Sequence, residues 1–135
     1  MRIMGVDYGD ARTGIAMSDL LCSIVGSTTV IHSRKDEKTI GEIQKLIAQN
    51  GVTEIVVGLP KNMDGSIGFR GEATFAFIEE LKKLTELPII TWDERLSTVS
   101  AIKSLNETNT RGKKRKEVVD TVAAMYILQN YLDSL

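Results

Sequence analysis

From Ile3 to Ser18 the apolar residues come in short runs, divided by a polar, glycine-containing reversal at Gly9-Asp10-Ala11-Arg12. That pattern predicts a strand over Ile3–Tyr8, a tight turn, and a second strand over Thr13–Ser18, joined as an antiparallel hairpin. Thr28-Thr29-Val30-Ile31-His32 is rich in β-branched residues and predicts a third strand, which completes a meander. The period then changes. Between Asp36 and Asn50, Ile40, Ile43, Leu46 and Ile47 share one helical face, and Gly51 follows as a stop. Ile55-Val56-Val57 within Glu54–Gly58 reads as a strand buried on both faces, ended by Leu59-Pro60. A loop over Lys61–Gly68 leads to a second helix over Phe69–Thr85, carried by Ala73, Phe77, Ile78, Leu81 and Leu84. Pro88–Trp92 is another apolar strand.

Beyond it, Ser97 or Thr98 is placed to cap a short helix ending near Leu105. Asn106–Arg115 contains no apolar residue and reads as a loop, and Lys116–Leu132 as the last helix. The order strand–strand–strand–helix–strand–helix–strand–helix–helix predicts an α/β fold. A three-strand antiparallel meander is extended by parallel strands into one mixed sheet with helices on both faces. No repeat, low-complexity tract or linker interrupts the 135 residues, so one domain over 1–135 is expected.

Composition narrows the class without naming a function. With 42% hydrophobic and 26% charged residues the chain is an ordinary globular one. Its apolar runs fall well short of the roughly 20 residues that span a bilayer, so no membrane partner is expected. Asp7 and Asp10 interrupt any basic-then-apolar leader at the amino terminus. Cys22 is the single cysteine, which excludes an internal disulfide and a Cys-rich zinc site and suggests a reducing, cytoplasmic setting. Cys22 itself reads as a small core or loop residue. The net charge of −1 argues against a generally basic nucleic-acid protein. Its distribution argues the other way. Arg111-Gly112-Lys113-Lys114-Arg115-Lys116 packs five cations into six residues just ahead of the last helix, either as a solvated surface or as a path for a polyanion.

Three acids sit in apolar frames, where a carboxylate is costly without compensation: Asp7 ends the first strand, Glu94 follows Ile89-Ile90-Thr91-Trp92-Asp93, and Asp120 lies inside the last helix. Each has a plain structural reading. Asp7 as a turn former is the weakest of these, because Asp10 lies within the turn itself. Glu94 as an ion-pair partner of Arg95, and Asp120 as a core acid paired with a base, both stay open. Asp120 shares its helical face with Ala123, Ala124, Ile127 and Tyr131, so it points toward the sheet. If Ile90 and Trp92 face the core, Glu94 rather than Asp93 shares their side. Clustered carboxylates repel, and a divalent cation is their usual reason to coexist. An all-oxygen set with one histidine, His32, which reads as an ordinary strand residue, points to Mg²⁺ or Mn²⁺ rather than zinc. Such ions activate water and clamp the oxygens of a phosphoryl displacement. Arg12 and Arg95 flank this centre, either holding phosphate or pairing with a nearby acid. Asn62 and Ser66, in a loop after a buried strand, reach a nucleic-acid backbone or simply form a turn. Met63 and the Phe75/Phe77 region read as packing residues.

These segments resemble the YqgF/RuvX family, with a ribonuclease H-like fold related to the RuvC resolvases. The resemblance is carried in order by Gly5-Val6-Asp7-Tyr8-Gly9-Asp10-Ala11-Arg12-Thr13-Gly14-Ile15-Ala16, Ile55-Val56-Val57-Gly58-Leu59-Pro60-Lys61-Asn62-Met63-Asp64-Gly65-Ser66, Asp93-Glu94-Arg95-Leu96-Ser97-Thr98 and Asp120-Thr121-Val122-Ala123-Ala124-Met125-Tyr126-Ile127-Leu128-Gln129. It implies a five-stranded mixed sheet and an acidic, metal-holding centre of Asp7, Glu94 and Asp120. It also implies a bacterial cytoplasmic nuclease that matures the 5′ end of pre-16S ribosomal RNA; the family is described as Holliday junction resolvases as well. RuvC relatives place two acids near this helix, whereas here Thr121 follows Asp120 and the closest acid is Glu117.

The leading expectation is a Mg²⁺-dependent phosphodiester hydrolase acting on structured RNA, with nucleic acid and ribosomal assembly particles as partners. Its candidate nucleic-acid contacts are Arg12, Asn62, Arg95, Lys113, Lys114 and Arg115. Cleavage of branched DNA is the alternative and would normally require a homodimer; the sequence leaves monomer and dimer open. A non-catalytic RNA-binding assembly factor is the third reading. Asp7-Tyr8-Gly9 followed by Gly14 also resembles the first phosphate loop of actin-like and sugar-kinase ATPases, but those bind ATP between two such domains.

Overall fold

The computed structural model describes residues 1–96 and 112–135. Its strands are β1 (Ile3–Asp7), β2 (Arg12–Ser18), β3 (Val25–His32), β4 (Glu54–Leu59) and β5 (Ile89–Asp93). Its helices, among the described residues, are α1 (Asp36–Asn50), α2 (Phe69–Lys82) and α3 (Gly112–Asp133), and a 3-10 turn at Glu94–Leu96 follows β5. The sheet runs in the order β3-β2-β1-β4-β5. β1 pairs antiparallel with β2 and parallel with β4, β2 pairs antiparallel with β3, and β4 pairs parallel with β5. This is the five-stranded mixed sheet expected from the sequence.

Alternation of side chains divides the interior into two layers. Met4, Val6, Ile15, Ile55 and Val57 pack under α1 and α2 with Ile40, Ile43, Phe77, Ile78 and Leu81. Ile3, Ala16 and Val56 pack on the other face under Ala123, Ala124, Ile127, Leu128 and Tyr131 of α3. β1 is buried along its whole length because it lies inside the sheet and is covered on both faces. α1 begins with Asp36 and Glu37, which suit its positive end, and stops at Gly51 (φ 63), whose amide donates to the Ile47 carbonyl.

α3 lies unusually close to the strands. A Cβ at Gly14 would overlap the backbone carbonyl oxygen of Asp120, and one at Gly58 would overlap Ile127 Cδ1. Glycine at these two sheet positions is what lets the helix settle so deeply.

Several boundaries differ from the sequence reading. β3 starts at Val25 rather than Thr28, because its pairing with β2 runs on to Ser18 through an irregularity at Met17/Ser18. β4 includes Leu59, and α2 stops at Lys82 rather than Thr85. β5 is an edge strand with Thr91 exposed, although its composition is apolar. The expected loop over Asn106–Arg115 is corrected in part: Gly112–Arg115 belong to α3. Lys and Arg are good helix formers, so a polar run without apolar periodicity still winds once a helix C-terminal to it is anchored. The short helix expected from Ser97 or Thr98 to Leu105, and residues 106–111, lie outside the described residues.

Two glycine substitutions separate tight packing from ordinary helix propensity. Gly14→Ala is expected to lower stability by about 1–3 kcal/mol through overpacking under α3. Gly41→Ala, in α1 with nothing within 4 Å of the added methyl, is expected to raise it by about 1 kcal/mol. Urea midpoints of the two variants test this, and equal midpoints would show that α3 is not held so closely.

Candidate active site

The chain leaves β1 toward β2 on one side, and leaves β4 through α2 toward β5 on the other. Between the ends of these adjacent strands lies a switch point, the crevice where open α/β sheets hold ligands. A cavity of about 240 Å³ opens there. Its wall comes from the β1–β2 hairpin (Asp7 to Arg12), Pro60 after β4, Phe69, Arg70, Ala73 and Thr74 of α2, and Asp120 of α3.

Asp7 is buried, 4% exposed, at the last position of β1, opposite Gly14 of β2. Gly14 in turn lies directly under the Asp120 backbone. The glycine therefore joins the two acids through one close contact, and both line the cavity. Glu94 is more deeply buried, at 1% exposure. Its Oε2 lies 3.0 Å from where a Gly58 Cβ would stand, so it occupies the space above that glycine on the α3 face. Asp93 goes the other way: it accepts from Arg95 Nη2 at 2.8 Å and from the Arg95 backbone amide at 2.9 Å. Those Arg95 bonds hold the Asp93 carboxyl below the usual carboxylate range against the opposing effect of burial. Lys61 Nζ adds a weaker contact at 3.8 Å. Glu94, with Ile90 and Trp92 in the α3-side layer, thus has the inward position that alternation assigns it.

Arg12, the first residue of β2, donates from Nε to Asp120 Oδ2 at 2.7 Å, with both side chains about one-fifth exposed. Of the two roles open to Arg12 in the sequence, this is the acid-pairing one. Arg95 is likewise engaged with Asp93 and reaches the Met63 carbonyl at 3.4 Å. Asn62 donates to Ser66 Oγ at 3.0 Å, its backbone amide to the Ser66 carbonyl at 2.9 Å, so it is tied into its own turn. Lys113, Lys114 and Arg115 stand in the first turns of α3.

The oxygen-only donors suit Mg²⁺ or Mn²⁺ in kind. Their spacing is another matter. Among the described residues, no three of His, Cys, Asp or Glu are grouped so as to hold one ion. The fold brings Asp7, Glu94 and Asp120 to one end of one sheet face, with two in the cavity and the third buried beside it, while Arg12 occupies Asp120.

Tyr8, Phe69 and Arg70 are among the cavity residues that the sequence did not single out. Tyr8 donates to Asp36 Oδ1 and stacks on Phe77 at 4.4 Å, tying the end of β1 to the start of α1. Burial and then the Asp36 contact push its phenol pKa well up, so it stays a donor. Phe69 and Arg70 reach the cavity from the first turn of α2, and no periodicity marks a residue at a helix start as facing a cleft. Met63, read as packing, is almost fully exposed; a loop tip carries no period from which burial could be judged.

A family model described as RuvX, Holliday junction resolvase, matches residues 1–134. A protein named "Putative pre-16S rRNA nuclease" from Desulforamulus reducens is 48% identical over 134 residues, covering 99% of this chain and 98% of that one. One of the same name from Halothermothrix orenii is 50% identical over 133 residues, covering 98% and 95%. Among solved structures, Thermus thermophilus RuvC in complex with a Holliday junction matches with a TM-score of 0.61 at 8% identity, covering 99% of this chain and 94% of that one. Fowlpox virus resolvase with its junction DNA gives 0.59 at 12%, covering 99% and 98%. At such identities the likeness is one of fold: the ribonuclease H-like arrangement.

A double-mutant cycle tests the Arg12–Asp120 bond. Arg12→Met and Asp120→Asn are each expected to destabilise, with a coupling of about 1 kcal/mol between them. Strictly additive losses in chemical denaturation would mean that the pair does not bridge β2 and α3 in solution.

Proposed function

The chain belongs to the RuvX family, and from that premise we propose that it is a divalent-metal-dependent nuclease that hydrolyses phosphodiester bonds in 5′-end maturation of pre-16S ribosomal RNA. The observation that carries this reading is the placement of Asp7 and Asp120 in one cavity at the switch point, with Glu94 buried on the same face. The names of relatives about half identical over nearly the whole chain support the substrate.

Asp7, Glu94 and Asp120 would hold Mg²⁺ or Mn²⁺, which supplies a water activated at neutral pH and charge stabilisation on the phosphodiester. In the described arrangement Asp120 faces the Arg12 guanidinium, which would share that carboxylate with any ion held there. Arg12 also stands on the cavity wall, where it would hold a phosphate oxygen. The basic run from Arg111 to Lys116 favours a polyanionic substrate and steers it toward the same end of α3.

A second reading, cleavage of four-way DNA junctions, is favoured by the family's description and would normally require two copies presenting two sites. A third, a non-catalytic assembly factor, predicts binding without cleavage. One comparison separates all three: cleavage of a precursor ribosomal RNA end and of a mobile junction, each with Mg²⁺ or Mn²⁺. Asp7→Asn is expected to lower cleavage at least a hundredfold, roughly the effect of removing one preorganised charge-stabilising group, while leaving nucleic-acid affinity intact or slightly raised. Chelation by EDTA is expected to do the same. Full cleavage by Asp7→Asn would sink the acidic-centre reading. Faster junction cleavage would move the substrate to DNA.

A further inference from the structure

β3 is an outermost strand of the sheet and, at eight residues, its longest. In an antiparallel pair every second residue turns its N–H and C=O away from the partner strand. On the far side of β3 those groups meet nothing: among the described residues, the backbone from Gly26 to Ile31 bonds only to β2. Edges of this kind are normally protected by lysine, proline, a bulge or an inward charge. Val25–His32 contains no proline, acid, lysine or arginine, and its pairing irregularity lies at its very start, opposite Met17/Ser18. Gly26, Ser27 and Thr28 are exposed and small, so no bulky side chain holds another backbone off. The turn ahead of the strand adds apolar surface, with Leu20, Leu21 and Ile24 exposed by 64%, 85% and 59%. That turn is braced. Asp19 Oδ1 accepts from the Ser23 amide at 2.9 Å and the Ile24 amide at 3.3 Å. Gln129 of α3 accepts from the Val25 amide and donates to the Ser23 carbonyl, each at 3.1 Å. Whatever docks here pays little to order it.

We propose that β3 is a pairing edge for a second copy of this chain, the two β3 strands lying antiparallel about a two-fold axis. The inference uses no cavity residue and goes beyond the nuclease reading. What favours a second copy over an unrelated peptide is that the edge matches itself. Residues facing one another across an antiparallel pair point both outward or both inward, so the two-fold sets a residue opposite itself. With the axis at Thr28, Gly26 meets the partner's Val30, Ser27 the partner's Thr29, and Val25 the partner's Ile31. Small residues thus lie against β-branched ones, and about six to eight backbone hydrogen bonds form. The ends match as well. Asp19 precedes the strand, while Arg34 and Lys35, both exposed, follow it; Asp36 beyond them is already bonded to Tyr8. Antiparallel pairing brings the acidic end of one copy beside the basic end of the other, where the stems of the partner's Arg34 and the partner's Lys35 can lie along Leu21 and Ile24. The two sheets become continuous, with both α3 helices on one face and the two cavities at opposite rims. So short an edge makes a weak dimer, since stable interfaces bury about 1,600 Å².

Sedimentation velocity in reductant, from roughly 5 to 500 µM chain, tests this, and the unaltered chain is expected to pass from monomer to dimer within that range. Thr28→Lys and Thr28→Glu each set like charges face to face, so either variant alone is expected to dimerise at least tenfold more weakly. An equimolar mixture of the two is expected to dimerise like the unaltered chain. Thr28 is exposed, so both are expected to keep the unaltered urea midpoint. In a Cys22→Ser background, Thr28→Cys is expected to cross-link on mild oxidation at least tenfold faster than Gln49→Cys, an exposed position of α1. Facing Cα atoms about 4.5–5.5 Å apart suit a disulfide. The pairing is overturned by an unaltered chain that stays monomeric throughout, or by a dimer that survives both single-charge variants. A mixture that fails to associate, or equal cross-linking at the two positions, overturns it too. None of these outcomes bears on cleavage, which the Asp7→Asn comparison tests separately.

Discussion

The close seating of α3 on the sheet is the constraint on which the rest depends. Asp120 reaches the ends of the strands only because Gly14 and Gly58 present no side chain to the helix, so that the Asp120 backbone rests on one glycine and Ile127 on the other. A methyl group at either position would push the helix outward and carry the acid with it. Ala123 and Ala124, buried one turn further on, continue the same tight seam. The site is therefore set by backbone approach. Its polar groups inherit their positions from where small residues allow three elements to converge.

Convergence creates an electrostatic problem. Asp7 and Glu94 are almost wholly buried, and Asp120 is about one-fifth exposed. Like charges brought together in a poorly solvated region raise one another's energy unless something positive enters. In the described arrangement Arg12, tethered to β2 and bonded to Asp120, is one such group. A tethered guanidinium is a fitting counterion for such a pocket, because it can leave one oxygen without leaving the site. The bonds of Arg95 to Asp93 and to the Met63 carbonyl knit the end of β5 to the loop after β4.

Much of this was legible in the sequence. The change from short apolar runs to helical spacing located each described strand and helix, and alternation favoured Glu94 over Asp93 for the inward place on the condition that Ile90 and Trp92 face the core, which they do. The apolar face of α3 had the same standing: Asp120 with Ala123, Ala124, Ile127 and Tyr131 follows from helical geometry alone. What stayed hidden was tertiary. Nothing local says that Arg12 pairs with a residue 108 positions away, or that Phe69 stands out in solvent beside the cavity. The start of α3 was hidden for a different reason. Its first turns are basic and polar, and such a run fits a solvated helix and a loop equally well.

The choice between RNA and DNA as substrate does not lie in the acids. Asp7, Glu94 and Asp120 would do the same chemistry on either phosphodiester, and neither Mg²⁺ nor a tethered guanidinium distinguishes a ribose from a deoxyribose. The likeness to junction resolvases at 8% and 12% identity is a likeness of scaffold, and a scaffold carries many substrates. Discrimination must arise outside the three carboxylates, where the substrate's shape is felt: in the braced loop after β4 and along the basic start of α3.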